Sequence, residues 1–345
     1  MSTDVRAAAA KDSQHRVGVL AEIVPLLVES GLEPGHLIRS AGIDPALLRN
    51  PESIVPFSAA CRLFVLAAEA TGFAHIGALV GARGGTQSLG LVGRLMKTAP
   101  TLGEAILDLC TNQHRYIRGA VTYLIVQRDT AFWGYAIHQP VLEGASFMCE
   151  GAMGIGCAMV REIAGLQPEK VLLARRTPTN GGPFRRALGG PVRFDAEQYA
   201  VVLRREWLSK PQRSSDPKLR QILQEQVRAY WAREQPDFSE RVSRILMGRL
   251  LSRTASAEAV ARDLHVTLRT MNRRLEEEGT TFRDLVRQAK YDASRQLMAS
   301  TSLSLIDIAL ALGYATPSAF TRAFNAWSGV APSAWRAAQE QQALA

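Results

Sequence analysis

One pattern near the C-terminal end constrains this chain more than any other, because it occurs twice. AEAVARDLHVTLRTMNRRLEEEG (257–279) and LIDIALALGYATPSAFTRAFNAWSG (305–329) each read as a short helix, a three- or four-residue turn and a second helix. Val260, Ala261 and Leu264 match Ile308, Ala309 and Leu312 at an offset of 48. Beyond the turn, Thr267, Met271, Arg273 and Leu275 match Thr316, Phe320, Arg322 and Phe324 at an offset of 49, so the second turn holds one more residue. A small residue (Ala261, Ala309) lets the two helices of each unit cross closely. Four positions later comes a residue that must take positive φ, Gly313 in the second copy and the less favourable His265 in the first. Thr267 and Thr316 are placed to cap the second helices. Ser304-x-x-Asp307 and Thr281-x-x-Asp284 resemble capping boxes with Asp in place of Glu or Gln.

Between the copies runs TFRDLVRQAKYDASRQLMAS (281–300), free of Gly and Pro, with Phe282, Leu285, Val286, Ala289, Ala293 and Leu297 on one helical face. A single rigid helix here fixes the spacing of the two helix-turn-helix units. Two such units on one connector suit successive major grooves on one face of a duplex, roughly 34 Å apart.

With these parts in place, residues 240–338 resemble the DNA-binding domain of AraC/XylS-type transcription regulators. The resemblance is carried by Ile308-Ala309, Gly313-Tyr314, Ser318-Ala319-Phe320-Thr321-Arg322-Ala323-Phe324, Gly329, Pro332 and Trp335-Arg336. The departure is His265 where the first turn would hold glycine. The N-terminal region resembles the effector-binding and dimerisation domain of the arabinose-binding-like branch, through SLGLVGRLMKTAPTLGEAI (88–106) and the Ala-Gly-Ile-Asp-Pro-Ala-Leu-Leu run at 41–48. The resemblance implies a transcription regulator, activator or repressor, modulated by a small molecule. It implies duplex operator DNA, an effector, RNA polymerase and a second copy of the chain as partners, and no cofactor.

The first recognition helix, TLRTMNRRLEEE (267–278), carries Arg269, Arg273 and Arg274 early and Glu276, Glu277 and Glu278 late. The helix dipole prefers the reverse, so the order suits an external polyanion, although a solvated charged face is the alternative. By the resemblance, the DNA-facing positions are Thr267, Arg269, Asn272 and Arg273 in the first unit. In the second they are Thr316, Pro317, Ser318, Thr321 and Arg322. Arg to guanine and Asn to adenine are the expected bidentate contacts, and Pro317 cannot donate. Met271, Leu275, Phe320, Phe324 and Trp327 recur at helical spacing as core residues, with Trp335 packing the last helix end.

The preceding residues read as an α+β domain. Helical spacing dominates from Val17 to about Leu109. VTYLIVQR (121–128) and AFWGYAIH (131–138) read as a hairpin turning at Asp129-Thr130. Residues 143–165, rich in Gly and Ala, read as one helix packed closely on a neighbour. KVLLAR (170–175) and YAVVLR (199–204) read as short strands, and 177–190 as a loop. The expected organisation is a flexible N-terminus (1–16), an effector-binding and dimerisation domain (17–208), a linker and helix (209–239), the DNA-binding domain (240–338) and a tail (339–345). The C-terminal domain is expected to be all-α.

In the first domain, His114, Arg118, Tyr123, Trp133, Tyr135 and His138 gather near the hairpin as a candidate effector pocket, with an ordinary half-buried sheet as the alternative. The four cysteines form no Cys-x-x-Cys pair, so neither a zinc site nor a disulfide framework is expected. No phosphate loop, dinucleotide fingerprint, Gly-x-Ser-x-Gly or His-Glu-x-x-His motif is present. The net charge is +9, and 35 of the 41 basic residues are Arg. That permits nucleic-acid binding and equally fits a compositional bias. Without an apolar leader or a run of about 20 apolar residues, the expected place is the cytoplasm, at the nucleoid when on DNA, with no membrane. The leading expectation is a ligand-responsive regulator without enzymatic activity. Two alternatives stay open: a constitutive regulator whose first domain only dimerises, and an enzyme fused to a DNA-binding domain.

Overall fold

A computed structural model of the chain describes residues 14–112, 120–137, 143–232, 237–251, 255–300 and 303–344. It opens with strand β1 (Gln14–Arg16), helices α1 (Ile23–Glu29) and α2 (Pro34–Ser40), and strand β2 (Ile54–Pro56), which pairs antiparallel with β1. Residues 14–16, expected to belong to a flexible terminus, are therefore anchored, with His15 and Arg16 buried. Gln-His-Arg has no apolar alternation to announce a strand; the pairing with Val55 supplies it. Helices α3 (Phe57–Thr71), α4 (Ile76–Arg83), α5 (Gly90–Lys97) and α6 (Leu102–Asn112) follow.

Strands β3 (Ala120–Gln127) and β4 (Thr130–Ile137) form the expected hairpin, but Gln127 pairs with Thr130, so the turn is Arg128-Asp129. Arg128 takes φ +36° there. The small-residue helix α7 (Ala145–Ala164) is continuous and lies against α4 as its composition predicts. A Cβ on Gly77 or Gly81 would overlap the carbonyl oxygens of Phe147 or Gly151, and one on Gly154 would lie 2.7 Å from the Ala78 oxygen. Strand β5 (Lys170–Leu172) is shorter than expected.

The stretch read as a loop contains helix α8 (Gly182–Leu188). Pro183 sits in its first turn, Phe184 and Leu188 are buried one turn apart, and Gly189 closes it at φ +74°. Gly and Pro read as breakers here because their positions, at the two ends, are those where a helix tolerates them. Strands β6 (Val192–Arg193) and β7 (Tyr199–Arg204) complete a sheet of order β3-β4-β7-β5-β6, parallel only between β5 and β6.

The polar stretch 209–217, read as a linker, is strapped to the first domain. Leu102 N–H donates to the Lys210 oxygen and Gln212 N–H to the Pro100 oxygen, while the buried Gln212 amide donates to the Thr101 oxygen at 2.9 Å. Helix α9 (Pro217–Ala232) then buries Leu223 and Val227 in the first core, and Arg220 grips Asp108 at 2.7 Å. Hydrogen bonds of this kind leave no apolar trace in sequence.

The remainder is helical: α10 (Phe238–Leu251), α11 (Ala257–Asp263), α12 (Leu268–Glu277), α13 (Phe282–Ser300), α14 (Leu305–Ala311), α15 (Pro317–Ser328) and α16 (Pro332–Leu344). Residues 339–344, expected as a tail, continue α16. The five-stranded sheet has two covered faces. Trp133, Tyr135 and Leu124 face the first core, whereas Tyr123, Ile125 and Ala136 join Leu297, Ile308, Leu312 and Phe320 in a core shared with the C-terminal domain.

Candidate nucleic-acid interface and ligand cavity

In the first helix-turn-helix unit, Ser256 caps α11 by accepting the Ala259 N–H at 3.1 Å. His265 turns the chain at φ +52°, and Thr267 caps α12 by accepting the Thr270 N–H at 3.1 Å. Met271 and Leu275 are buried against Val260 and Ala261 of α11, Leu264 at its C-terminal cap, and Val242 and Leu246 of α10. Arg249 clasps Asp263 with two hydrogen bonds of 2.6 and 2.8 Å, tying α10 to α11.

This packing explains part of the unusual charge order. Glu278 accepts the N–H groups of Phe238 and Ser239, each at 2.7 Å, so it caps α10, and the Ser239 hydroxyl together with those N–H bonds holds its carboxyl below the usual range. The Arg274 guanidinium lies 5.3 Å from the Phe238 ring centre. Arg269, Asn272 and Arg273 remain exposed on α12.

The second unit repeats the plan. Ser304 caps α14, Gly313 turns at φ +73°, and Thr316 caps α15 by accepting the Ala319 N–H at 3.2 Å. Pro317 occupies the first helical position, where its missing N–H costs nothing. Phe320 and Phe324 are fully buried, and Phe324 meets Tyr291 and Trp335 edge-on or tilted, with centroids 5.6 and 6.1 Å away. Thr316, Pro317, Ser318, Thr321 and Arg322 are exposed, and the Thr321 hydroxyl donates to the Pro317 oxygen at 3.0 Å. Helix α13 serves both cores, giving Ala289 to the first and Ala293 and Leu297 to the second. One uninterrupted helix thus sets the relation of the two units. The five-stranded sheet touches the second unit on α14, where Gln127 Nε2 donates to Asp307 Oδ1 at 3.1 Å. The residues expected to face DNA on α15 stay exposed with the sheet docked.

Of the six residues expected in the effector pocket, Trp133 and Tyr135 line a cavity of about 110 Å³ between the sheet and α7. Tyr123 does not join them. It lies on the other sheet face, its ring over Gly134, its hydroxyl donating to Gln198 Oε1 at 2.8 Å. Successive strand residues alternate faces, so Tyr123 and its cross-strand partner Gly134 stand opposite Trp133. His114, Arg118 and His138 lie outside the described residues.

The rest of the wall comes from distant segments: His15 of β1, Phe64 of α3, Leu109 of α6, and Met148, Met153 and Met159 of α7. Only the methionines had a sequence signal, since Met148 and Met159, eleven residues apart, share a helix face. His15 is 6% exposed, and its Nδ1 is without a hydrogen-bond partner among the described residues. Burial pushes its pKa down to about 4.

Among the described residues, no three His, Cys, Asp or Glu side chains group as a metal site, and no single helix is long and apolar enough to cross a membrane. The four cysteines are buried, and burial raises the Cys110 and Cys157 thiols to about 12, so they remain protonated.

Two family models match the chain. One, described as the arabinose-binding domain of AraC transcription regulator, N-terminal, covers residues 31–212; the other, a helix-turn-helix domain, covers residues 260–338. The ornithine utilization regulator of Pseudomonas aeruginosa is 28% identical over 334 residues, spanning 92% of this chain and 97% of its own. The HTH-type transcriptional regulator VirS of Mycobacterium tuberculosis is 25% identical over 318 residues, spanning 90% and 93%. The solved structure of the transcriptional regulator CdpR from Pseudomonas aeruginosa covers 88% of this chain and 96% of its own, with 22% identity and a TM-score of 0.44.

Proposed function

The chain belongs to the AraC family of DNA-binding transcription regulators, and from that premise we propose that a small molecule in the sensor cavity sets how tightly the two helix-turn-helix units hold an operator. The observation that carries this is the alternation along β4. Trp133 and Tyr135 line the cavity, while Phe132 and Ala136, on the other face, pack against the core of the DNA-binding domain. A ligand that shifts the first pair moves the second, because one backbone carries both.

Thr267, Arg269, Asn272 and Arg273 read one major groove and Thr316, Pro317, Ser318, Thr321 and Arg322 the next. Phosphate contacts then give the affinity a steep salt dependence. The regulator acts on RNA polymerase at its promoters, in the cytoplasm at the nucleoid. It works as a dimer. On α9, Leu219, Ile222 and Tyr230 are exposed and extend the buried arc of Leu223 and Val227 into solvent, an apolar strip suited to a second copy.

The matched domain is named for arabinose and one relative for ornithine utilization, so both compounds enter the screen. The test measures operator affinity of the full-length protein with each compound that raises its thermal midpoint. A change in affinity, abolished by Ile125→Glu in the shared core, is expected. Stabilising compounds that never alter operator affinity would establish the constitutive alternative. In light scattering, Ile222→Asp should halve the mass of a dimer; an unchanged mass would reject the α9 surface.

A further inference from the structure

Every effector reading leaves the ligand's chemistry open, and the cavity wall narrows it. We infer that the cavity binds an uncharged, mainly apolar small molecule whose single hydrogen-bonding end meets His15, and that it rejects sugars and amino acids. This rests on the effector reading of the same cavity and adds the ligand class.

Size comes first. At about 110 Å³ the cavity is of the order of an engineered 150 Å³ apolar cavity that admits benzene. It suits a single small ring with at most small substituents. The wall is dominated by Phe64, Leu109, Trp133, Met148, Met153 and Met159. Methionine, leucine and phenylalanine side chains give dispersion contacts, and methionine adapts to shape, but they satisfy no hydroxyl.

Charge comes second. Among the described residues no Asp or Glu lines the cavity, so an ammonium group entering it would lose its water and gain no counter-charge there. Arg16 is on the wall, but its guanidinium is ion-paired with Glu52, so a ligand carboxylate would have to displace a carboxylate already in place. A pentose fails for a different reason. Each of its about four hydroxyls both donates and accepts, and the described wall around His15, Ser88, Thr122 and Tyr135 is mostly apolar.

Polarity at one point comes third. A buried polar atom without a partner is exceptional in a folded protein and calls for an explanation. His15 Nδ1 is such an atom among the described residues, on a side chain 94% removed from solvent by its 6% exposure, at the cavity wall. With burial holding its pKa at about 4, His15 is a neutral imidazole at neutral pH, able to pair with a hydroxyl or carbonyl. The β1–β2 pairing fixes it there, since its backbone is locked to Val55.

The experiment uses full-length protein and four probes: p-cresol, toluene, arabinose and ornithine, with binding followed by calorimetry and thermal midpoint. p-Cresol is expected to bind saturably and at least tenfold tighter than toluene. His15→Phe should reduce p-cresol affinity at least tenfold while leaving toluene within threefold. Ala152→Leu, which fills the cavity from α7, should abolish both without lowering the ligand-free midpoint. Should either variant fail to fold, the wild-type ratio of p-cresol to toluene still decides. Absence of binding by both aromatic probes, equal affinities for them, or competitive binding of arabinose or ornithine would overturn the assignment. Arabinose or ornithine altering operator affinity would refute the ligand class and leave the effector reading standing. p-Cresol binding in the cavity without altering operator affinity would support the class and refute the effector reading.

Discussion

On the proposed two-groove reading, removing the forked donor from each recognition helix is expected to separate the two grooves. Arg273 is 68% exposed and forms an ion pair with Glu277, 63% exposed, at 3.5 Å. Such an exposed i,i+4 pair contributes about 0.3–0.5 kcal/mol, so Arg273→Ala should leave the fold nearly as stable as before. Arg322 is equally on the surface of α15, two positions beyond the fully buried Phe320. Two residues are about 200° of helix, so an anchor facing the core turns the arginine outward. Losing one bidentate contact to guanine costs about 1–3 kcal/mol, which is roughly 5- to 150-fold in affinity. The 19 residues of α13 span about 28 Å as a helix, comparable with the roughly 34 Å between successive major grooves. The two lesions should therefore fall about one helical turn of DNA apart. The assay is binding-site selection followed by affinity measurement, with full-length wild type, Arg273→Ala and Arg322→Ala, and Glu277→Gln as a control that frees Arg273 and keeps the base preference. A phosphate contact would instead lower affinity evenly over all sequences. Mutants that both keep the wild-type preferences, or both relax the same base pair, would refute the two-groove assignment.

Three further outcomes are expected. Gly81→Ala drives a methyl into the Gly151 carbonyl and should cost about 1–3 kcal/mol or more in denaturant unfolding; wild-type stability would mean that α4 and α7 are not in close contact. Burial raises the Glu150 carboxyl from 4.5 to about 7, against the pull of Arg175 at 2.6 Å. Between those pH values the folded chain keeps a proton that the unfolded chain has lost, so stability falls as pH rises, by up to about 1.4 kcal/mol per unit. Glu150→Gln should flatten that slope in urea unfolding at pH 5, 6 and 7, and an unchanged slope would clear Glu150 of the role. His265→Gly removes a side chain from φ +52° and should stabilise the chain by up to about 1 kcal/mol, less the added unfolded-state entropy; a lower urea midpoint would show that the imidazole itself holds the turn.

The sequence by itself determined the C-terminal domain almost to the residue. The turn positions at His265 and Gly313, the threonine caps and the rigidity of α13 are local matters. Backbone φ, the first N–H groups of a helix and an apolar stripe are each answered within a few residues. The same holds for α7, whose glycines announced a close neighbour without saying which. Tertiary structure alone decided the rest. Period-two alternation told that β3 and β4 have two faces, but not that Trp133 and Tyr135 would meet α7 while Tyr123 met the DNA-binding domain. The cavity draws His15, Phe64, Leu109 and Met148 from segments far apart in the chain, and no local preference encodes their meeting. The strap at 209–217 and the capping of α10 by Glu278 are hydrogen bonds between surfaces, made by residues that look like solvent-facing loop or helix end. Local conformational energies are written along the chain. What covers a face depends on which distant surfaces fit together, and that is settled only when the chain packs.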